Sequence, residues 1–586
     1  MGNVLGRVTG RNGVYFIALS AVFAKDLAFV FRRKPNSNLL SLFNSLLVDG
    51  GFVRTCLADA CGLMILWRLI KTFGALDTFF RKLSWTEQKD YIVGTVFHYL
   101  QYIPYVDNKI RQERFEMEAG LRTSMKNAPH LQQATKYFTL PQEGRATDDI
   151  LAEMKGYVDK EDTTWKDGFV SGAVYHGEPD HLECQNQALT MYSLSNPLHP
   201  ELWPSLRKYE AEVVSMTASF LNGGDQNVVG AITSGGTESI FMAVKSHREY
   251  GWRFKGIAEP EIIIPVTAHA AFEKACEALK MKCIKLPVDQ TTFQVDPAQV
   301  NDRISGNTVL IVGSAPNYPQ GTIDRLSELS DVAVARNVGM HVDMCLGGFI
   351  LPFANNVGFD LPPFDFSLPG VTSISCDTHK YGYAAKGTSV VLYRNKQLRE
   401  CMYWTYADWT GGLYCTPTMA GSRAGGLSAA CWASMVRMGR SGYESHTKKI
   451  LQTRQKLQKG IEGIPELQVL GNPQAMVLAW RSTKLNVYEL SDRMGKRKWS
   501  INSLQKPASS HICVTYRQTL DGVAERFLAD LTDCVKELMD EKKANKGAET
   551  VAETGGSAPI YGSIASLPPG PVNQMICSYM DIVLEV

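Results

Sequence analysis

The chain has 586 residues, a formal charge of +2 and only 20% charged residues. That balance gives no electrostatic basis for binding nucleic acid, and the length exceeds one compact core, so two or three domains are expected. Thirteen cysteines, an odd and scattered set without CxxC pairs, argue against a disulfide framework or a zinc ribbon and for free thiols in a reducing compartment.

The N-terminal stretch is apolar but interrupted. "NGVYFIALSAVFAKDLAFVFRR" (12–33) is broken by Lys25 and Asp26, and "GFVRTCLADACGLMILWRLIKTFGAL" (51–76) by Arg54, Asp59, Arg68 and Lys71. A spanning helix needs about 20 mostly apolar residues. Neither run is clean, and the basic residues after the second apolar core can snorkel to an interface. The expectation is a helical anchor over 1–84 that spans a membrane or lies on it, with no signal-peptide cleavage site. Residues 85–200 then read as a helical connector reaching the body.

The middle of the chain alternates. "NVVGAIT" (227–233), "EIIIPV" (261–266), "TVLIVGS" (308–314) and "GMHVDM" (339–344) read as strands, as do "VTSISCD" and "TSVVLYR" on either side of "THKYGYAAKG". Helical segments such as "AFEKACEALKM" separate them. Short β-branched runs alternating with helices predict an α/β domain with a mostly parallel sheet covered on both faces. Ligands of such sheets sit outside the carboxyl ends of the strands. Near the C-terminus, "EKKANKGAETVAETGGSA" (541–558) reads as a linker to a short tail.

The unusual residues fall at those strand ends. "TSGGTESI" sets Gly236 and Thr237 at a turn into a helix, where backbone N–H groups and the helix N-terminus favour an anion; Thr237 would also serve as a plain N-cap. His269 follows the "EIIIPV" strand and could stack on a planar ring. Asp343 ends "GMHVD", and a buried carboxylate there needs a cationic partner. Lys380 follows "VTSISCDTH", where a desolvated amine becomes a nucleophile towards aldehydes. A phosphate cradle, a stacking ring, a ring-nitrogen partner and a Schiff-base lysine, in that order, are the parts of a pyridoxal phosphate site.

The stretches "SGAVYHG", "SNPLHPELWPSLRKYEAEVV", "SGGTESIFMA", "HVDMCLGGF", "DTHKYGYAAKG" and "AGSRAGG" carry a closer resemblance. From residue 171 onward the chain resembles the sphingosine-1-phosphate lyases, fold-type I pyridoxal phosphate enzymes related to the group II amino-acid decarboxylases. The resemblance implies a mostly parallel seven-stranded sheet in a large domain over 201–420, a smaller α+β domain over 421–543, and a linker and tail over 544–586. It implies pyridoxal 5'-phosphate bound by Gly236, Thr237, His269, Asp343, His379 beside the phosphate, and Lys380. Ser422 would be lent to the cofactor phosphate by a neighbouring subunit, so a homodimer is implied. Lys386, His199 and Tyr175 would meet the substrate phosphate, and Lys380 and Tyr175 are the candidates for proton transfer. Cys376, where a small residue is expected, and Ala385, where proline is expected, depart from the pattern without touching a chemical role.

The activity implied is retro-aldol scission of C2–C3 in sphingosine 1-phosphate or its dihydro and phyto analogues, giving a long-chain aldehyde and phosphoethanolamine. The resemblance also implies the endoplasmic reticulum membrane with the body facing the cytosol. The alternative is an amino-acid decarboxylase on the same fold, which would bind a substrate carboxylate and require no substrate phosphate. A membrane scaffold that kept the fold without the chemistry would not need Lys380, Asp343 and His269 together.

Overall fold

The computed structural model describes residues 134–544 apart from 225–226, residues 569–584, and a few positions between 108 and 122. The expected anchor at 1–84, most of the connector up to 133 and the linker at 545–568 lie outside the described residues. Among the described residues, no helix is long and apolar enough to cross a membrane. The chain forms two compact units, and Val158–Ala558 is the larger.

That larger unit is built around a seven-stranded sheet. Its strands are β1 (Val229–Thr233), β2 (Glu261–Pro265), β3 (Lys282–Leu286), β4 (Thr308–Ser314), β5 (Gly339–Asp343), β6 (Val371–Cys376) and β7 (Ser389–Tyr393). Their order across the sheet is β1-β7-β6-β5-β4-β2-β3. Pairs β2–β3, β2–β4, β4–β5 and β5–β6 are parallel, and β7 runs against both β6 and β1. One strand therefore opposes the other six. β2 and β4 are buried along their whole lengths, which is why "EIIIP" and "TVLIVGS" read as continuous apolar runs and not as alternating ones.

Helices cover both faces. The helix Gly236–Lys255 brings Ile240 and Val244 against Ile262, Ile264, Leu310 and Val312, with Phe272 and Ala275 from the helix Ala271–Leu279. These side chains recur at i and i+4 or i and i+3, the spacing that puts them on one face. The first of these helices begins at Gly236, with Gly235 at its cap and no capping side chain. Thr237 therefore lies in the first turn and does not cap it.

A short hairpin, β8 (Trp404–Tyr406) with β9 (Tyr414–Thr416), leads to the helix Gly425–Glu462, which breaks at Gly439, where φ is 59°. Beyond it lies a second sheet of antiparallel strands, β10 (Gln468–Val469), β11 (Val477–Arg481), β12 (Asn502–Leu504) and β13 (Ser509–Cys513), in the order β10-β11-β13-β12. β13 is fully buried. The segment just after it carries Arg517 and Gln518, which grip residues 166–178 from across the chain.

Candidate active site

Lys380 lies four residues past the end of β6, on a turn whose backbone is held from behind. Tyr383 N donates to Lys380 O at 3.0 Å and Ala384 N to Thr378 O at 3.0 Å. His181 Nε2 and Gln185 Nε2 both donate to Tyr383 O, while Ser434 Oγ and Tyr443 OH donate to Gly382 O. Two helices, Pro179–Met191 and Gly425–Glu462, thus fix the carbonyls of the lysine turn. A nucleophile on a turn this constrained is held in position before any ligand arrives.

The lysine is paired. Lys380 Nζ lies 2.7 Å from Asp377 Oδ2, with the lysine side chain 23% exposed and the aspartate 1%. Burial works against the Lys380 ammonium, but Asp377 beside it holds its pKa above the ordinary lysine value. His379 Nδ1 donates to Thr388 O at 2.5 Å, and burial pulls this imidazole below its usual pKa despite Asp377. His379 is therefore a neutral neighbour at pH 7. Its Cε1 faces Gly235, at 3.6 Å from where a Cβ there would stand.

Asp343 closes β5, buried. Its Oδ1 accepts from Cys345 N at 3.0 Å and from Ser375 Oγ at 3.2 Å. No further hydrogen bond to this carboxylate is made by the described residues, so Oδ2 is left for a cation. Behind it, His341 contacts Ser375 Oγ through Nε2 at 3.0 Å and Ser373 Oγ through Nδ1 at 2.8 Å. Burial lowers the His341 pKa to about 3, so this second layer is uncharged.

The glycine turn after β1 is braced by hydroxyls. Thr233 Oγ1 lies 2.6 Å from Ser239 Oγ, which lies 2.8 Å from Ser389 Oγ on β7. Glu238 accepts from Ser234 N at 2.6 Å and from Met419 N at 3.0 Å. Gly236 has to be glycine: a Cβ would stand 2.7 Å from both Asp377 carboxylate oxygens and 2.9 Å from Cys345 Sγ. Thr237 is exposed at the open end of the helix, where first-turn N–H groups lack intrahelical partners. His269, four residues past β2, is exposed, and its Nδ1 accepts from Ala271 N at 3.1 Å. That bond places the ring proton on Nε2.

Tyr175 and Lys386 meet. Lys386 Nζ lies 4.7 Å from the centre of the Tyr175 ring and donates to His379 O at 3.4 Å. Desolvation and the Lys380 charge pull the Lys386 pKa down. Burial pushes the Tyr175 phenol up, so it keeps its proton at neutral pH. Its ring packs edge-on against Tyr381 at 4.9 Å. The segment bearing it is held by the turn after β13. Arg517 donates to His176 O at 3.3 Å, to Glu178 Oε1 at 2.5 Å and to Lys166 O at 2.6 Å, and Gln518 Nε2 donates to Gly168 O and Val170 O.

His199 and Ser422 stand together but apart from these groups. Asn196 Nδ2 donates to Ser422 Oγ at 3.1 Å, and Asn196 Oδ1 accepts from Arg423 N and Leu198 N. His199 is exposed and pairs with Glu201 at 3.4 Å. Ser422 is exposed too and is bonded to Asn196, not to the cradle. Of the residues singled out from the sequence, Lys380, His379, Gly236, Tyr175 and Lys386 converge, with Asp343 close behind through Cys345. Ser422 and His199 form a second group.

Asp377, His341, Asn196 and Arg517 acquire their roles only in the fold. Asp377 was legible in principle, because three residues before a lysine on a tight turn is ion-pairing distance. Asn196 sits inside the quoted "SNPLHP". Arg517 has no local signal, since its partners lie more than 330 residues away in sequence.

These residues fit pyridoxal phosphate. Asp343 has a free oxygen for a protonated ring nitrogen, the turn into the helix at Gly236 offers backbone N–H groups to a phosphate, and Lys380 offers the amine. Comparison with known proteins agrees. Residues 129–482 match the pyridoxal-dependent decarboxylase conserved domain. The chain is 44% identical over 499 residues to a sphingosine-1-phosphate lyase of Dictyostelium discoideum, covering 84% of this chain and 90% of that one. It is 42% identical over 469 residues to sphingosine-1-phosphate lyase 1 of Rattus norvegicus, covering 80% of each. Among solved structures, sphingosine-1-phosphate lyase from Burkholderia pseudomallei superposes with a TM-score of 0.69 at 40% identity, covering 71% of this chain and 97% of that one. A glutamate decarboxylase from Lactobacillus brevis superposes with a TM-score of 0.61 at 20% identity over 70% of this chain and 98% of its own, a likeness of fold alone.

Proposed function

Because the chain belongs to the sphingosine-1-phosphate lyases within the pyridoxal-dependent decarboxylase family, we propose that it cleaves phosphorylated long-chain amino alcohols such as sphingosine 1-phosphate between C2 and C3. The products are a long-chain aldehyde and phosphoethanolamine. The observation that carries this reading over an amino-acid decarboxylase is Lys386 Nζ beside the Tyr175 ring, next to the Lys380 turn. A second cation placed there suits a substrate phosphate.

The bound cofactor supplies an electron sink for the pair released as the C2–C3 bond breaks. The chain's residues do the rest. Lys386, with Tyr175 against it, fixes the phosphate and so orients which bond breaks. Tyr175 keeps its proton, so its phenol serves as a hydrogen-bond donor. Lys380 would hold the cofactor and is the amine placed for proton transfer once the substrate has taken its place. Asp343, with one oxygen free, would hold a proton on the cofactor's ring nitrogen.

The active unit is a homodimer in this reading, with Ser422 and its loop completing the partner's site; the exposure of Ser422 and its attachment to Asn196 support it. Residues 201–420 carry the cofactor and 421–543 form the small domain that holds the Tyr175 segment. Residues 1–84 hold the body on the cytosolic face of the endoplasmic reticulum membrane. The interrupted apolar runs at 12–33 and 51–76 support this, as does a substrate that itself partitions into bilayers. The test is to incubate the purified holoenzyme with sphingosine 1-phosphate and, separately, with glutamate and aromatic amino acids. Stoichiometric aldehyde and phosphoethanolamine are expected. Carbon dioxide from an amino acid, without aldehyde from the lipid, would replace the reading with a decarboxylase.

A further inference from the structure

Asp377 does not behave as a structural carboxylate. Two other buried aspartates among the described residues, Asp324 and Asp365, are bonded on both oxygens. Asp324, for example, accepts from Ser314 N on one and from Val295 N on the other. Asp377 is as deeply buried, yet its Oδ1 has no hydrogen-bond partner and its Oδ2 faces Lys380 Nζ at 2.7 Å. The other cation within reach is His379, whose Nε2 lies 3.8 Å away and whose ring burial keeps neutral. On the side of the glycine turn there is no space for a further group, because even a Cβ on Gly236 would touch both carboxylate oxygens. Lys380 is therefore the one cation in direct contact with Asp377 among the described residues, with Lys386 a more distant positive charge that also feels it.

That constraint bears on the lyase reaction, and the inference rests on the chain being such a lyase. Lys380 would hold the cofactor until the substrate amine takes its place, and its side chain would then be a free neutral amine. Scission of C2–C3 needs a proton removed from the C3 hydroxyl, and the carbon left at C2 needs a proton in return. We propose that Asp377 is the counter-ion that lets the displaced Lys380 amine take the C3-hydroxyl proton, hold it as an ammonium, and return it to C2 once the aldehyde has formed. The O–H and C2–C3 bonds break and the C3 carbonyl forms. The C2 pair then takes the proton from Lys380, which ends as the amine it began as. No further donor or acceptor is required. Asp377 acts in this scheme through Lys380, as a positioning residue.

The groups facing the Lys380–Asp377 pair are few. His379 shares its turn, and Lys386 is across it. Cys345, beyond β5, lies between the pair and Asp343; Cys376 ends β6 beside Asp377, where burial pushes its thiol up and keeps it uncharged; Tyr175 comes from the entering segment and Cys513 from β13. Burial pushes Cys345, Tyr175 and Cys513 above their ordinary values, so they are uncharged at neutral pH. Asp377 is thus the negative charge that favours a proton on the Lys380 nitrogen, against the repulsion of Lys386.

The holoenzyme gives a direct readout, since the visible band of the Lys380–cofactor linkage reports the protonation of that same nitrogen. Asp377→Asn and Asp377→Ser should each move the midpoint of its pH titration down by at least about one unit, a tenfold loss of proton affinity. Turnover should fall by a similar factor or more with KM little changed, and Asp377→Glu, which keeps the charge, should return the midpoint towards wild type. An unshifted midpoint in either neutral variant that folds and retains the band would overturn the proposal. A band that survives in Lys380→Ala would instead overturn the assignment of Lys380 on which it rests.

Discussion

The turn at Lys380 and the loop at Ser422 contain equally recognisable motifs, yet the structure treats them differently. The lysine turn is held by bonds from two helices, its charged groups are paired, and its neighbours are buried. Ser422 and His199 are exposed and fastened to one another's loops through Asn196. The lysine turn is built into the interior of a single chain. The Ser422 loop is presented outward, in a defined shape. A residue that must hold a covalent bond through a reaction belongs on the first kind of element. A residue that serves another chain belongs on the second, rigid but uncovered.

Three substitutions or titrations would break or sharpen that contrast. The largest effect is expected at Lys386, which borders the buried half but is itself open to solvent. Lys386→Ala should raise KM for the phosphorylated lipid roughly 10- to 100-fold, the worth of about 1.5–3 kcal/mol for a charge-assisted contact, while leaving the visible cofactor band intact. Loss of the band would mean that the two lysines have been assigned the wrong way round.

A second effect, on stability more than on substrate affinity, is expected at Arg517. It ties Lys166, His176 and Glu178 to the small domain and so holds Tyr175 in place. Arg517→Met should lower the unfolding free energy by about 2–3 kcal/mol. It should also reduce kcat more than it disturbs cofactor binding. An active enzyme with unchanged stability would show that the Tyr175 segment is held by other contacts.

The last effect is a pH dependence of stability. Behind the lysine turn His176 packs against His181 at 4.8 Å and His446 at 5.2 Å. Burial lowers His176 to about 3 and His446 to about 4, and lowers His181 as well. Their ordinary value is about 6.5, so between 6.5 and 3 the unfolded chain binds protons that the folded chain does not. Their contribution is fully present above pH 6.5 and is lost as pH falls towards 3. The denaturant midpoint should therefore decline between pH 6.5 and 5. A flat profile there would mean that these rings are open to water.

Much of this was legible in the sequence. Fully buried parallel strands announce themselves as β-branched runs, so β2, β4 and β5 lie within a residue of where "EIIIPV", "TVLIVGS" and "GMHVDM" place them. The chemistry-bearing residues sit just past strand ends because that is where the sheet opens. β3 was not legible: "KCIKL" is short, half polar and on the sheet edge. The small sheet was not either, since its central strand β13 reads "SSHIC", polar yet wholly buried, with His511 Nδ1 donating to Pro319 O at 3.0 Å. Ion pairs within a turn, such as Asp377 with Lys380, are local and could have been read. The clamp of Arg517 on the Tyr175 segment is tertiary, and no spacing encodes it.

The proposed division of the site between two chains is tested most directly by subunit mixing. Lys380→Ala chains keep Ser422, and Ser422→Trp chains keep Lys380, so each alone should be inactive. After verified exchange at equal amounts, random pairing makes half the dimers mixed, each with one intact site, and about a quarter of wild-type activity should return. No recovery in demonstrably mixed dimers, or full activity of Ser422→Trp alone, would contradict a site shared between subunits.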